Sequence, residues 1–582
     1  MDHLAASFHG TTTLLHNASQ PAGTSAESNT SLSSSIITNV KNVRLPPGPR
    51  QWPLIGNIGQ VNPSRQHPQF LQWAKQYGAI FRLRFGSNEF VVLNTAQAAV
   101  DLLDRRSAKY SSRAGPHFAH DLMSAGQRMV FLPYASEWKV ARASLHPYLM
   151  GTKSRSYRVV QEHESAVLMG DLLRHTRTMQ KQLADGSFKT ATRHEDGWEA
   201  HVRRYTTSVV LNITYGKRIT SAYDNPSLHK IYDILANFAL VGQPGRNPCD
   251  DFPLLRKLPD WLSPWRAEAL RLHKWEMQLW GGFMDQLKGE REALTSVKSY
   301  VNDMLEDRER NGDGFDGEGL GLNEKGLMSD TLLAYTAATV LEAGSDTTAS
   351  SVYFFVLACL NDPEIMRKLK AEIDAAVPAS TLPAFEHIEG LPYLRSCVKE
   401  TLRRRPPTIM GIPHRVTQDD IYDGMLIKKD SIVIGNVWAM HMDPVRYPEP
   451  ERFMPERFMG DSLSAAQSAA TMDASRRDHY AFGWGRRVCQ GMHIAEASLL
   501  IIFARLAWAF DLQAPPVEKE PLKSIHEEST YTDGFVSQTN PYTCLFVPRH
   551  AGVTRVLASA YDDAQLFWAE QNREGDTRDG PV

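Results

Sequence analysis

Cysteine is scarce in this chain of 582 residues, with five, at positions 249, 359, 397, 489 and 544. They are odd in number and scattered, with no CxxC pair, which excludes a disulfide framework and a zinc cage of paired thiolates. A reducing, cytosol-facing location fits best. Nor is charge of either sign in excess. Lys and Arg number 64 against 66 Asp and Glu, a net charge of −2. Without a basic field or a long run of one sign, nothing argues for nucleic acid as a partner. An apolar run near the start is also missing. Residues 1–44 are rich in Ser, Thr, Ala and Asn, far short of the ~20 apolar residues that a membrane span needs. They read as a disordered leader without a transmembrane helix. No secretory signal precedes the Asn-x-Ser/Thr triplets at Asn17, Asn29 and Asn212, which leaves them as chance matches.

What is present is an ordinary globular balance, 42% hydrophobic and 22% charged, ample for a large core. Order is expected to begin near Leu45, where Pro46, Pro47, Pro49 and Pro53 forbid an early helix. PQFLQWAKQYG then reads as an amphipathic helix, and AIFRLRFGSNEFVVLN as two strands about a Gly-Ser-Asn turn. Helical patterns dominate to about Leu360, and short strands return at DDIYDGMLIKKDSIVIGN and near the C-terminus. No internal repeat or clean linker interrupts residues 45–550, which implies one large, mostly helical domain with a small β portion. Residues 551–582 read as a C-terminal tail, partly disordered.

The most apolar long segment runs from Ser329 to Pro363. Its length suits a membrane span, yet Glu342, Asp346 and a cluster of Ser and Thr at its centre make that costly. A buried central helix is expected instead, and the charge in its middle then needs a reason. Gly344 and a Thr347 back-bond to the carbonyl four residues earlier are expected to open a local groove or bulge there.

Of the five cysteines, Cys489 stands apart. It lies in FGWGRRVCQG, among three glycines and behind two arginines. A thiol so placed tends toward the thiolate, which is either a nucleophile or a metal ligand. Helical character resumes at Met492, so Cys489 also sits near a helix N-terminus, where the dipole favours an anion. Cys249, Cys359, Cys397 and Cys544 read as buried structural residues.

Four motifs share this chain in order. WKVAR aside, they are AGSDTT (343–348), KETLR with Glu400 and Arg403, FMPERF with Pro455 to Phe458, and FGWGRRVCQG with Phe482, Gly485, Arg487, Cys489 and Gly491. Together they resemble the oxygen-side helix, the E-x-x-R, the P-E-R-F and the cysteine loop of the cytochrome P-450 family, across roughly residues 45–550. The resemblance implies a mainly α fold with haem b buried between the long central helix and the cysteine loop. Cys489 becomes the axial thiolate of the haem iron, a donor suited to O–O cleavage. Trp138 and Arg142, spaced i,i+4 in WKVAR, match the family's W-x-x-x-R. With Arg487 and Arg415 they are candidates to hold the haem propionates, His414 being the alternative to Arg415. Phe482 and Gly491 complete the cofactor-binding set. Asp346 and Thr347 are the candidates to pass protons on the oxygen side. Glu400, Arg403 and Arg457 are assigned a structural network and no chemistry. An exposed Glu–Arg pair would add only about 0.3–0.5 kcal/mol; stranding one member of a buried network costs about 3–5 kcal/mol.

The implied activity is a haem-thiolate monooxygenase acting with O2 on a mostly apolar small molecule, in the fungal pattern a secondary metabolite such as a polyketide or small aromatic. Alternatives are an isomerase or dehydratase of the same fold working without O2, and a haem sensor or carrier without turnover. The roughly 30 residues after His550 cannot hold a flavin domain, so a separate NADPH-dependent flavoprotein reductase is expected. Lys139, Arg476, Arg477 and Arg486 are its candidate docking residues. Substrate contacts are expected from 113–122, 244–265, 408–412 and 534–539, which carry little charge. The aromatic loop about Trp261 and Trp265 suggests peripheral contact with a membrane, by analogy that of the endoplasmic reticulum.

Overall fold

The computed structural model describes residues 43–571, apart from 63–64, 244–245, 312–316 and 318. All of the expected leader except residues 43 and 44 lies outside the described residues. The prolines keep residues 45–57 out of helix, and the first helix, α1 (His67–Tyr77), carries Pro68 in its first turn, where the missing N–H costs nothing. β1 (Ile80–Phe85) and β2 (Asn88–Leu93) form the expected hairpin, Ile80 opposite Leu93 and Phe85 opposite Asn88. The helices that build the core follow: α2 (Ser136–Leu149), α3 (Arg158–Asp185), α4 (Glu199–Tyr215), α5 (Pro226–Val241), α6 (Pro264–Glu292), α7 (Asp330–Asn361), α8 (Pro363–Ala376) and α9 (Pro392–Arg404). Short strands β3 (His414–Arg415), β4 (Asp420–Tyr422), β5 (Met425–Ile427) and β6 (Ile432–Gly435) precede α10 (Met492–Ala509), β7 (Phe510–Gln513), β8 (Leu545–Pro548) and α11 (Ala551–Glu570).

The main sheet has the order β1-β2-β6-β3, with β2 and β6 parallel and the other neighbours antiparallel. The pairs β4–β5 and β7–β8 stand apart. The central helix is α7. Ser329 caps it by accepting from the Leu332 N–H, and Asp362 ends it while capping α8. It is buried on nearly every side, which accounts for its apolar composition on either side of the polar centre. Its backbone is α-helical throughout, so the bulge expected at Gly344 is not formed. Gly344 instead admits the neighbouring α4: a β-carbon there would lie 2.3 Å from Val210 Cγ1. On another side, Phe355 stacks on Phe503 of α10, with ring centroids 3.7 Å apart and planes at 14°. Helix α10 is long and apolar enough to cross a membrane by composition, but it is mostly buried inside the fold.

Behind this core, the three residues assigned to a network do meet. Arg403 donates to both oxygens of Glu400, at 2.7 and 2.8 Å, and Arg457 Nε donates to Glu400 Oε1 at 3.2 Å. Glu400 and Arg403 are wholly buried. Arg403 Nη1 also donates to the carbonyls of His441 and Pro450, which ties α9 to the segments leading to the cysteine loop.

The tail departs from expectation. Residues 551–570 form helix α11, which lies along α3. Val553, Leu557, Ala564 and Trp568 recur at helical spacing on its buried face. Polar residues between them mask this pattern, and the guanidinium of Arg218 covers Trp568 at 5.0 Å. Residues 572–582 lie outside the described residues. Trp568→Ala is expected to lower the stability of the whole domain by about 3–5 kcal/mol, read as an earlier urea midpoint; an unchanged midpoint would mean α11 is only loosely attached.

Candidate functional site

Between α7 and the loop before α10 lies a cavity of about 300 Å3. Trp138, Arg142, Thr347, Phe482, Arg487, Cys489 and Gly491 all line it. The cysteine loop is shaped by backbone constraints. Gly485 has φ +55, and a β-carbon there would lie 2.2 Å from the Leu103 carbonyl oxygen. Its N–H donates to Asp104 Oδ1 at 2.5 Å, and Cys489 N–H donates to the Phe482 carbonyl at 2.9 Å. The loop is thereby folded back on itself, and α10 starts three residues after Cys489.

Cys489 is open to the cavity, whereas Cys249, Cys359, Cys397 and Cys544 are buried. The expected ease of ionisation is not found for the free thiol. Burial pushes it up, and the Gly491 N–H and the Arg142 guanidinium only partly offset that. The loop therefore stabilises a thiolate less than a charge-rich sequence suggests, because the two arginines beside it point elsewhere. Arg486 turns outward to Tyr134. The guanidinium carbon of Arg487 lies over Trp138, 4.0 Å from the ring centroid, and the group donates to the carbonyls of Ser111 and Leu132 at 2.7 and 2.6 Å.

Arg487 shares its end of the cavity with Arg113 and Arg142. Arg142 donates to the Val488 carbonyl at 2.8 Å and Arg113 to the carbonyls of Ile412 and Pro413. Among the described residues, none of the three has a carboxylate partner, and Arg113 Nε is buried with no acceptor. Burial and mutual repulsion push Arg487 down to about 8 and Arg113 down to about 9. Such depression in guanidinium groups signals missing negative charge. The two propionates of the expected haem are the carboxylates this cluster lacks, and the thiol faces the same cavity, so the residues fit the group.

Arg415 does not belong to this set. A strand turns successive side chains to opposite faces, so in β3 His414 faces the cavity while Arg415 is 43% exposed and pairs with Asp430 at 3.0 Å. His414, the alternative, is buried and held neutral by burial and by Arg113. Its Nδ1–H then donates to the Tyr110 carbonyl at 2.7 Å. Arg113 escaped the sequence reading because one arginine in a loop carries no spacing signal.

On the oxygen side, Thr347 lines the cavity and its hydroxyl donates to the Ala343 carbonyl at 2.7 Å. Its oxygen keeps lone pairs to accept with. Asp346, one residue earlier and about 100° around the helix, is not among the cavity-lining residues. It is buried against α4, with Oδ1 3.3 Å from Arg203 Nη2. Arg203 also pairs with Glu195 at 2.5 Å, and Glu195 reaches solvent with 20% of its side chain exposed.

A second chamber of about 360 Å3 meets the first at Gly411. All four segments expected to touch substrate reach it, through Gly115, Asp250, Met410 and Phe535 among others. On the opposite, cysteine side, a surface depression lined by Arg142, His146, Arg486 and Cys489 faces solvent. Lys139, Arg476 and Arg486 are exposed beside it or in the same region of chain. Arg477 is not available for docking: it is buried, pairs with Asp104 at 3.3 Å and donates to the Gly483 carbonyl.

The family model described as Cytochrome P450 matches residues 46–546. The chain is 44% identical to Cytochrome P450 monooxygenase 69 of Postia placenta, over 92% of this chain and 94% of that protein. It is 42% identical to Cytochrome P450 monooxygenase 231 of the same fungus, over 94% and 97%. Cytochrome P450 monooxygenase fogE of Aspergillus ruber is 35% identical over 87% of each.

Arg487→Met removes one cation from the carboxylate-seeking cluster while keeping bulk over Trp138. It is expected to speed haem loss to apomyoglobin by about 10–100-fold, as for loss of one charge-assisted pair of about 1.5–3 kcal/mol. Unchanged retention would remove Arg487 from the binding set.

Proposed function

The chain belongs to the cytochrome P450 family, and from that premise we propose that Cys489 is the axial ligand, Arg113, Arg142 and Arg487 hold the propionates, and Asp346 and Thr347 handle protons. The observation that carries this reading is the shared cavity, in which the Cys489 thiol and the Thr347 hydroxyl meet beside three guanidinium groups lacking anions. Haem b held through the Cys489 thiolate would supply the O2 chemistry, in which two electrons and two protons leave one oxygen atom in the product and the other in water.

The remaining work falls to the chain. The Gly491 N–H and Arg142 stabilise negative charge on the sulfur and so set how strongly it donates. Thr347, whose own proton is engaged by Ala343, holds a water in the cavity by accepting from it. Asp346 passes protons inward when Arg203 releases it toward Glu195, which connects the pair to solvent. The dry walls contributed by Val209, Val210 and Val340 limit other water.

A separate NADPH-dependent flavoprotein reductase supplies the electrons, and exposed Lys139 and Arg486 beside the cysteine-side depression suit an acidic docking face. The substrate is a neutral, mostly apolar small molecule of secondary metabolism, a polyketide or small aromatic, bound in the second chamber. The protein rests peripherally on the endoplasmic reticulum membrane. Leu254 is 77% and Trp261 80% exposed, and Leu54 is 84% exposed. Hydrogen bonds from Gly86 to Ile55 and from Ser87 to Asp251 keep these two apolar loops side by side. Trp265 takes no part, since it packs inward on the Cys249 cluster.

Reduced, CO-bound protein is expected to give the red-shifted thiolate Soret band, and Cys489→His to lose it; a variant spectrum like that of the parent would exclude Cys489 as ligand. With Thr347→Ala, NADPH consumption is expected to continue while product per NADPH falls about tenfold or more and hydrogen peroxide rises. Full coupling in that variant would assign proton handling elsewhere.

A further inference from the structure

The wall of the second chamber contains charged groups, but each is engaged. Arg415 pairs with Asp430 at 3.0 Å and Arg65 with Asp533 at 2.7 Å. His67 and Glu528 share a hydrogen bond of 2.9 Å. Arg256 donates to the carbonyls of Cys249 and Asp250 at 2.8 and 3.2 Å. Asp250 accepts from the Phe118 N–H at 2.8 Å, and Asp251 from Asn88 Nδ2 at 3.3 Å. A cationic ligand would have to break one of these pairs to gain a partner of its own, and an anion would find only Arg256, already held by two backbone carbonyls, without a carboxylate partner among the described residues.

What the wall offers freely is aromatic surface. Phe131 and Phe238 have ring centroids 5.6 Å apart with planes tilted by 40°. Phe535 stands 6.4 Å from Phe238 at 76°. All three line the chamber, as do Phe85 and Phe90 of the β1–β2 hairpin. The three rings come from three separate segments, so their convergence owes nothing to local sequence.

Phe238 is fixed from outside the chamber. The guanidinium carbon of Arg128, which is not a lining residue, lies 4.4 Å from its ring centroid. Arg128 is fully buried and clamped, donating to Glu342 at 2.5 Å, to Glu276 at 2.6 Å and to Ser124 Oγ at 2.9 Å. A cation against one face of an arene draws π density toward itself. The opposite face then becomes less negative and stacks better on an electron-rich ring.

We propose that Phe131, Phe238 and Phe535 form a clamp selective for a neutral, electron-rich aromatic substrate, and that Arg128 is the positioning residue that fixes and polarises Phe238. The proposal rests on the reading of this chain as a monooxygenase of small apolar molecules and narrows its substrate class. It concerns how the substrate is chosen, so it stands or falls on relative affinity.

The test compares 2-methoxynaphthalene with its saturated counterpart 2-methoxydecalin, titrated into holoenzyme by calorimetry. The arene is expected to bind about tenfold more tightly, a difference of ~1.4 kcal/mol. Phe238→Leu is expected to bring the two affinities together by weakening the arene alone, and Phe238→Tyr to keep the preference. Arg128→Lys keeps a cation but loses the fork onto both carboxylates, and is expected to weaken the arene and spare the saturated probe. Equal affinities in the parent, no binding of the arene, or a full preference in Phe238→Leu would overturn the clamp. Equal weakening of both probes in Arg128→Lys would overturn the positioning role. The CO-bound spectrum of the same samples reports separately on the haem-thiolate reading, so the two failures are distinguishable.

Discussion

Three guanidinium groups at one end of a cavity, Arg113 buried and Arg142 and Arg487 half-buried, with no carboxylate partner among the described residues, are the constraint on which the site depends. Arg113, Arg142 and Arg487 reach that point from three distant stretches of chain and are held by backbone carbonyls. Carbonyl oxygens orient a guanidinium but do not neutralise it, and burial of an uncompensated charge is costly. On the proposed reading a dianionic group offsets that cost. The flat ring of haem brings two carboxylates on one edge and an iron at its centre. The cluster and Cys489 bound the same cavity, so one group answers both. On that reading cofactor loading would add to the stability of the cysteine loop, since Arg487 belongs to that loop and lies over Trp138 of α2.

The same logic separates what was legible in the sequence from what was not. Cys489, Arg487 and Phe482 lie within one short loop whose glycines fix the backbone, so their spacing carries the chemistry. Trp138 and Arg142 are legible for a similar reason, one helical turn fixing their relation. Glu400 and Arg403 share such a turn, and only the later motif supplies Arg457. Arg113, Arg128 and Arg203 are different. Each acts through a long side chain that crosses to an element far away in sequence, and no local pattern records where it ends. Arg415 shows how narrow the margin is: in a two-residue strand, the choice between it and His414 is the choice between the two faces of the sheet. Helix α11 was hidden for another reason, its buried residues being diluted by polar ones on the exposed side.

Asp346 illustrates how a helix assigns neighbouring residues to different tasks. Thr347 faces the cavity, and the residue before it, rotated by about 100°, faces α4. A carboxylate in the cavity itself would oppose the negative charge that oxygen chemistry develops there, and would favour a permanent column of water. Set one residue back, it lies against Arg203 and outside the cavity lining. Gly344 matters here too. By letting α4 approach α7, it brings Arg203 within reach of Asp346, so the close helix contact and the ion pair are two results of one missing side chain.

A second buried imbalance, of opposite sign, involves α7 through Glu342. Arg128 is flanked by two carboxylates, Glu276 and Glu342, and one guanidinium can neutralise only one of them. Burial and the neighbouring carboxylate push Glu342 up to about 7, with Arg128 pulling the other way. Glu276 is shifted upward as well, by burial above all. Both carboxyls thus take up a proton more readily than a free one, while Arg128, held between two acceptors, keeps its charge. That persistence is what allows Arg128 to serve as a fixed backing for Phe238, because a cation free to leave would neither hold the ring nor polarise it. On the proposed reading the two imbalances have different remedies, the carboxylates of the cofactor at the arginine cluster and a raised proton affinity of the two glutamates at Arg128.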